Sequence, residues 1–414
     1  MQFSSQVLSN IVFVISMYYL CISFFGLYRK KELNTAKPKK SFALIVAAHN
    51  EETVIEDIIH SLKILDYPKE LYDIFVIADN CTDKTASKSK AAGALVYERF
   101  NKIKRGKGYA LEWMFDKIFK LDRKYDAVVI FDADNLASRN FLREMNKKLC
   151  EGFKVVQGYL DSKNPHDTWI TGSYSIAFWT SNRMFQLSRR NLGLSNQLGG
   201  TGFCINTETL KQLGWGATCL TEDLEFTCKL VLNGHRVGWA HDAVVYDEKP
   251  LTLSQSWWQR KRWMQGFADV TSRYFFKLIK KGILEFDFAA IDCALYSIQP
   301  MIIIILGVAT LLDIFSKISS LPEMINAVLH PANVNTVGMI LLVISILQFL
   351  YTPIVLFLDK KLTLKICLYY LIFPIYTITW LPISILGILD KNKKEWNHTL
   401  HTRSVNITDL EKVN

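Results

Sequence analysis

The sequence has no cysteine pair in CxxC spacing, and no histidine at zinc-site distance from any of its eight cysteines. That excludes a structural zinc knuckle and leaves reduced thiols in cytosol and lipid as the expectation. Standard nucleic-acid motifs are also missing, although the formal net charge is +10. Much of the basic excess borders apolar segments, as in Arg29-Lys30-Lys31 and Lys391-Asn392-Lys393-Lys394. That placement points to an anionic membrane surface and away from nucleic acid. No internal repeat or low-complexity tract occurs. No typical signal peptide opens the chain, because no positive charge precedes the first apolar run and no small-residue cleavage site follows it.

What is present is apolar sequence at both ends of a 414-residue chain, with a middle that reads as an ordinary α/β domain. Residues 7–28 carry no charge and are long enough for a helix across a bilayer, which takes about 20 residues. Basic residues follow at once, so the positive-inside rule puts residue 29 onward in the cytosol. Three further apolar runs lie near 291–312, 336–358 and 366–389. The first carries Asp292 and Pro300, the last Pro374 and Pro382. The link after the first run reads as external and Asp359-Lys360-Lys361 as internal. That count leaves the basic tail, 391–414, outside, against the charge rule. A last segment bent or re-entrant at its prolines, or a tail that does not decide topology, are the two ways out. Residues 251–287 interleave aromatics and cations at near-helical spacing, which predicts one or two interfacial helices joining the domain to the membrane.

The expected domain limits are therefore a spanning helix over 1–28, a basic linker over 29–40, and a catalytic domain over 41–250. Interfacial helices over 251–287, about three spans over 288–390 and a basic tail over 391–414 follow. Within the domain, strands are predicted at 42–48, 73–79, 94–98 and 126–134, alternating with helices over 51–65, from Thr82 or Asp83 to Ala92, and over 106–121. Such alternation implies a parallel sheet with right-handed crossovers, whose ligands bind beyond the carboxyl ends of the strands.

Polar motifs fall at those ends: Ala47-Ala48-His49-Asn50-Glu51, Asp79-Asn80-Cys81-Thr82-Asp83 and Asp132-Ala133-Asp134. A helix cap explains any one of them; all together they suggest one crevice. Alternation along a strand would turn Asp132 and Asp134 to one side, where two carboxylates suit a hard divalent cation such as Mg²⁺ or Mn²⁺. Thr221-Glu222-Asp223 opens a helical pattern. It reads as a capped helix start or as a general base, with Asp223 accepting a hydroxyl proton. In Gln259-Arg260-Lys261-Arg262-Trp263, Arg262 suits phosphate oxygens and Trp263 a sugar face, while composition alone fits a basic aromatic interfacial helix equally well. Gly199-Gly200-Thr201-Gly202-Phe203 lacks the Gly-Lys-Ser/Thr of a P-loop and reads as a tight turn or a close-approach site. Arg105-Gly106-Lys107-Gly108 opens a helix, where Lys107 and backbone N–H groups attract anions.

In this order and spacing, AAHNEE, DNCTDKT, RGKG, FDADN, GGTGF, TED and QRKRW resemble the family 2, GT-A-fold membrane glycosyltransferases. That group includes cellulose, poly-N-acetylglucosamine and hyaluronan synthases. The resemblance covers roughly 40–270. It implies that Ala47, Glu51 and Asp79 hold the uridine of a UDP-sugar and that Lys107 lies near the nucleotide. It implies that Asp132 and Asp134 bind diphosphate and metal, and that Asp223, beside Glu222, is the base. Gln259, Arg262 and Trp263 would hold the diphosphate and the acceptor end, and Gly200 and Thr201 the substrate. Anomeric inversion follows, with UDP-glucose or UDP-N-acetylglucosamine as donor and a growing β-linked glycan as acceptor, exported through the plasma membrane. Mixed-linkage β-glucan, cellulose-like polymer and poly-N-acetylglucosamine are the product classes. A small membrane partner subunit is plausible by the same resemblance. Transfer of one sugar to a lipid-linked acceptor is the alternative, and a non-catalytic transport or adaptor protein a more distant one. Two departures stand out: Ala47 replaces the proline of PxYNE, and the loop after Asp79 lacks its usual glycine. No PilZ-like extension is seen after the membrane region, so cyclic-di-GMP control within this chain is not expected.

Overall fold

A computed structural model describes residues 2–30, 36–217, 219–317, 349–393 and 403–413. The apolar run Phe42–Ala48 forms β1, sealed on both faces as a central parallel strand must be. It pairs in parallel with β2 (Tyr72–Asp79) and with β4 (Ala127–Asp132), and β2 pairs in parallel with β3 (Leu95–Arg99). All four expected strands are present. The connecting helices α2 (Ile55–Lys63), α3 (Thr85–Ala91) and α4 (Lys107–Phe119) lie inside their expected limits.

The other half of the sheet departs from the all-parallel expectation. The strand order is β3-β2-β1-β4-β7-β6-β8-β5, with β5 at Leu136–Ala137, β6 at Val155–Ser162, β7 at Phe203–Asn206 and β8 at Val237–Asp247. β7 runs antiparallel to both β4 and β6. The cause is local: the Thr201 hydroxyl accepts the backbone N–H of Asp132 at 3.1 Å, so β7 starts where β4 ends and has to run back. Helices cover both faces. α2 and α5 (Phe141–Cys150) bury Ile58, Leu62, Phe141 and Met145 on one side. On the other side, α4, α8 (Thr207–Leu213) and α9 (Glu222–Leu232) bury Leu111, Phe115, Leu210 and Phe226.

Residues 251–287, expected as one or two helices, are one long helix, α10 (Leu253–Leu284), opened by a Thr252/Gln255 capping box. Its Met264, Phe267 and Val270 pack with Leu224, Cys228 and Val231 of α9 and with Cys293 and Ala294 of α11 (Phe288–Ser297). α12 (Gln299–Lys317) follows at a 64° bend from α11, with Pro300 in its first turn, where a missing N–H costs nothing. α1 is Gln2–Phe24. One helix among the described residues, Leu364–Leu389, is by itself long and apolar enough to cross a membrane. The bent α11–α12 pair also meets that measure if taken as one span, and Asn10–Phe24 and Phe349–Leu358 are shorter apolar helices. Most of the expected run 336–358, and residues 31–35 and 394–402 of the basic linker and tail, lie outside the described residues.

Buried charges join the apolar helices to the domain. After α6 (Trp169–Ser181) the chain makes one π-helical stretch, Asn182–Leu187, then α7 (Ser188–Leu192). Arg183 on the π-stretch pairs with Asp359 at 2.8 Å and donates to the Gly26 carbonyl beyond α1 at 2.9 Å. Arg189 on α7 makes two 2.7 Å bonds to Asp292 of α11, which also accepts the Tyr18 hydroxyl of α1 at 2.6 Å.

Candidate active site

The register explains why the motifs meet. Ala47 of β1 stands opposite both Ile77 of β2 and Asp132 of β4, and Asp79 ends β2 two rows beyond Ile77. The carboxyl ends of three adjacent strands therefore open onto one crevice. Ala47 is the one partly exposed residue of β1. Its small side chain sits at the crevice floor. The two loops above it are bonded to each other. The Asn50 side chain accepts the Thr82 N–H at 2.8 Å, and the buried Glu51 donates its N–H to the Thr85 hydroxyl at 2.8 Å. Asp83 accepts both the N–H and the hydroxyl of Thr85, at 2.9 and 2.6 Å. Asn80 adopts φ 52°, and so supplies the left-handed backbone that the absent glycine would otherwise provide.

Asp79 is paired at 2.6 Å with Arg99, the last residue of β3, and both side chains are buried. Arg99 also donates to the Lys104 carbonyl at 2.6 Å. Sequence reasoning ended that strand one residue short of Arg99 and missed it. Its position at a strand's carboxyl end was the available signal.

β4 stops at Asp132, and Ala133 and Asp134 lie in a turn closed by Asn135 N–H to Asp132 O at 3.2 Å. Strand alternation therefore does not orient the two carboxylates, as had been expected; the turn does. Asp132 is partly exposed and bonded to the Lys107 ammonium, which also donates to Gly200 O at 2.7 Å. Asp134 is buried, and accepts the Glu248 N–H at 3.1 Å and the Asn135 amide at 3.3 Å. Among the described residues no three His, Cys, Asp or Glu side chains are grouped closely enough to enclose a metal. A pair of carboxylates that leaves most coordination positions to a diphosphate fits a hard divalent ion on chemical grounds.

Thr221 precedes α9 but makes no side-chain cap. Its side chain is pressed against Gly266 of α10 instead, where an added Cβ would lie 2.4 Å from the Thr221 hydroxyl. Glu222 and Asp223 start the helix and face Lys107. Burial, helped by the Asp223 charge against the pull of Lys107, pushes Glu222 up to about 7. Burial also raises Asp223, opposed by the Leu224 N–H, Lys107 and Arg262. Burial alone would lower Lys107, but Asp132, Glu222 and Asp223 together hold it above its ordinary value. Gly200, at φ 80°, passes close to Asp223: a Cβ there would come within 3.4 Å of its carboxylate. Thr201 is buried, with its hydroxyl shared between Asp132 N–H and Asn135. In this structure it supports the Asp132 turn.

The Gly266–Thr221 contact brings the α10 motif to the same place. Gln259 accepts the Tyr174 hydroxyl at 2.8 Å, and Trp263 lies 6.1 Å from the Tyr174 ring, edge-on, and 6.3 Å from Phe178. The partly buried Arg262 acts electrostatically on Asp223. The intervening Arg260 and Lys261, given no role from sequence, turn away. Arg260 stacks over Tyr376 and Trp380, and Lys261 pairs with Asp390 at 2.5 Å.

A crevice at the carboxyl ends of a mixed sheet, with an Asp-x-Asp turn, a carboxylate pair on a helix start and a basic aromatic helix, defines a GT-A type glycosyltransferase. The chain belongs to the family described as glycosyltransferase like family 2, whose model matches residues 38–266. It is 26% identical over 295 residues to the probable glycosyltransferase YdaM of Bacillus subtilis (strain 168), covering 66% of this chain and 69% of that one. It is 28% identical over 243 residues to a beta-monoglucosyldiacylglycerol synthase of Synechocystis, covering 55% of this chain and 48% of that one. The chain thus spans about half the length of that relative. Over 261 residues it is 26% identical to the poly-beta-1,6-N-acetyl-D-glucosamine synthase of Staphylococcus aureus (strain COL), covering 62% of this chain and 61% of that one. Among solved structures, the mannosyltransferase PcManGT of Pyrobaculum calidifontis, in complex with GDP-Man and Mn²⁺, has the same fold. The TM-score is 0.58 at 18% identity, over 94% of this chain and all of that one.

Proposed function

We propose that the protein is an inverting membrane glycosyltransferase that extends a β-linked glycan from a UDP-sugar. The observation that carries this reading is the seat of α10. Gly266 lets it close on Thr221, with Arg262 acting on Asp223 and with Gln259 and Trp263 on the same helix gathered at Tyr174. An aromatic face and a guanidinium next to a carboxylate base suit a sugar acceptor end and a departing diphosphate. Ala47, Glu51 and Asp79 line the end of the crevice suited to a uridine, with Asp79 oriented by Arg99. Asp132 and Asp134 would hold a Mg²⁺ or Mn²⁺ ion, which supplies countercharge for the nucleoside diphosphate. Asp223 accepts the proton of the acceptor hydroxyl as it attacks the anomeric carbon, and Glu222 tunes it. Lys107 holds Asp132 and the Gly200 carbonyl in position. The apolar helices at both ends support a plasma-membrane enzyme whose catalytic domain faces the cytosol.

A second reading, transfer of one sugar to a lipid acceptor, is favoured by the similarity to beta-monoglucosyldiacylglycerol synthases. One experiment separates the two. Washed membranes bearing the protein receive radiolabelled UDP-glucose or UDP-N-acetylglucosamine, with Asp223→Asn membranes as control. Polymer cut by linkage-specific β-glycosidases supports extension, whereas label confined to single-sugar lipid removes it.

A further inference from the structure

Each carboxylate of the Asp-x-Asp turn has a lysine of its own, and the function proposed above uses only one of the two. Lys107 is bonded to Asp132. The second is Lys163. β6 and β8 are parallel, and β7 is antiparallel to both β4 and β6, so β4, β6 and β8 point their carboxyl ends the same way. Asp132 ends β4, Asp247 ends β8, and Lys163 is the first residue beyond β6. It therefore stands in the row of strand ends from which the crevice is built.

The chain around Lys163 is held on both sides. Its N–H donates to the Asp247 carbonyl at 2.8 Å, and the next residue, Glu248, donates its own N–H to the Asp134 carboxylate at 3.1 Å. Asn164 and Lys249 exchange two bonds. The Asn164 amide donates to the Lys249 carbonyl at 2.9 Å, and the Lys249 N–H donates back to the Asn164 side chain at 2.8 Å. Lys163 is thus tied to the Asp-x-Asp turn through two consecutive residues of β8 and the loop after it.

The side chain of Lys163 is 3% exposed, and its Nζ has no hydrogen-bond partner among the described residues. Burial pulls it below its ordinary value, and Asp134, Glu248, Asp57 and Asp247 oppose that, Asp134 most. Asp247 already has Lys249 at 2.6 Å, and Asp57, on α2, has one carboxylate oxygen that is itself buried without a partner. Asp134 is therefore the main counterpart of the Lys163 charge. Fold stability does not call for a cation here. A buried charge is weak evidence for stability, because apolar residues of similar volume often do as well or better.

We propose that Lys163 is the standing countercharge of Asp134. It is a positioning residue with two effects. It holds the carboxylate in place between one donor and the next, and its like charge weakens the hold of the turn on a divalent ion until a nucleoside diphosphate adds negative charge. With Lys107 on Asp132 and Lys163 behind Asp134, the two carboxylates offer a bare ion little net charge. This rests on the metal reading of Asp132 and Asp134 given above.

The test is Mn²⁺ binding to the full chain in detergent, read from the electron paramagnetic resonance signal of free Mn²⁺, with and without UDP. Wild-type protein is expected to bind Mn²⁺ weakly alone and more tightly with UDP. Lys163→Met is expected to bind it about tenfold more tightly without UDP, because a nearby like charge has gone. Lys163→Gln gives the same measurement where the methionine variant does not fold, and Lys163→Arg should keep the wild-type curve. The Mn²⁺ concentration for half-maximal transfer should fall in step in the neutral variants. A lysine that only supported the fold gives the opposite sign, since a loosened turn binds the ion less well. Neutral variants that bind Mn²⁺ no more tightly than wild type overturn the inference. Wild-type protein that binds no Mn²⁺ even with UDP, or Asp132→Asn and Asp134→Asn proteins that bind it unchanged, remove the metal reading and the inference with it.

Discussion

Glu222 and Asp223 share a helix start but have different surroundings, and this gives them different titrations. Glu222 is held up to about 7 by burial, with the charge of Asp223 adding to it. If Asp223 works as the base, turnover rises with pH through a midpoint above the ordinary aspartate value, since burial raises Asp223. Glu222→Gln takes a negative charge from beside Asp223 and moves that midpoint to lower pH. Asp223→Asn lowers kcat by about 10²–10⁴-fold with little change in donor KM, the usual range for losing a positioned base. A pH–rate series on the three proteins checks all of this. Stability follows the same linkage. A carboxyl whose folded pKa lies above its ordinary value favours the fold fully below about 4.5, and this contribution is lost as pH rises through about 7. Thermal melts should therefore fall over that window, and less steeply in Glu222→Gln. Lys107→Met removes the cation that faces Asp132, Glu222 and Asp223, so the rate midpoint should move to higher pH and turnover should drop. An unmoved midpoint would show that Lys107 does not govern the pair.

Among the elements, the close fit of α10 on α9 depends on one glycine. Gly266→Ala puts a methyl 2.4 Å from the Thr221 hydroxyl, an overpacking that costs about 1–3 kcal/mol where the backbone has to shift. Activity should fall with it, because Gln259, Arg262 and Trp263 move with the helix. A paired Thr221→Gly should recover part of the loss, and rates of the single and double variants decide it. The parallel half of the sheet was legible because each strand carries a short apolar run between helical patterns. The antiparallel β7 was not, since four residues carry no period and its direction is set by a tertiary bond, Thr201 to Asp132. The site was legible as a row of strand ends, since carboxylates rarely follow apolar runs by accident. Arg99 was not, because a basic residue after a strand looks like solvent-facing sequence until its partner Asp79 is placed beside it. The Asp-x-Asp geometry was misread for a similar reason: nothing in Asp132-Ala133-Asp134 announces that the strand ends at its first residue.

For the molecule as a whole, the apolar helices are joined to the domain by buried ion pairs. Arg183→Met leaves Asp359 buried beside His241 and the Tyr159 hydroxyl with no full countercharge from Arg183, and breaking such a pair costs about 3–5 kcal/mol. Unfolding in detergent should show that loss, and the double variant Arg183→Met with Asp359→Leu should recover much of it. Arg183 binds Gly26 after the first helix and Asp359 after a later one, while Arg189 binds Asp292 on a third. Attachment at three separate helices does to a body what three legs do to a stool: it removes rocking and sets height. In the membrane placement proposed for the enzyme, the crevice then keeps a constant elevation over the lipid. On the proposed function, a lengthening product then has to travel past a stationary reaction centre, and an acceptor whose reactive hydroxyl lies at another depth goes unglycosylated however well its sugar would fit.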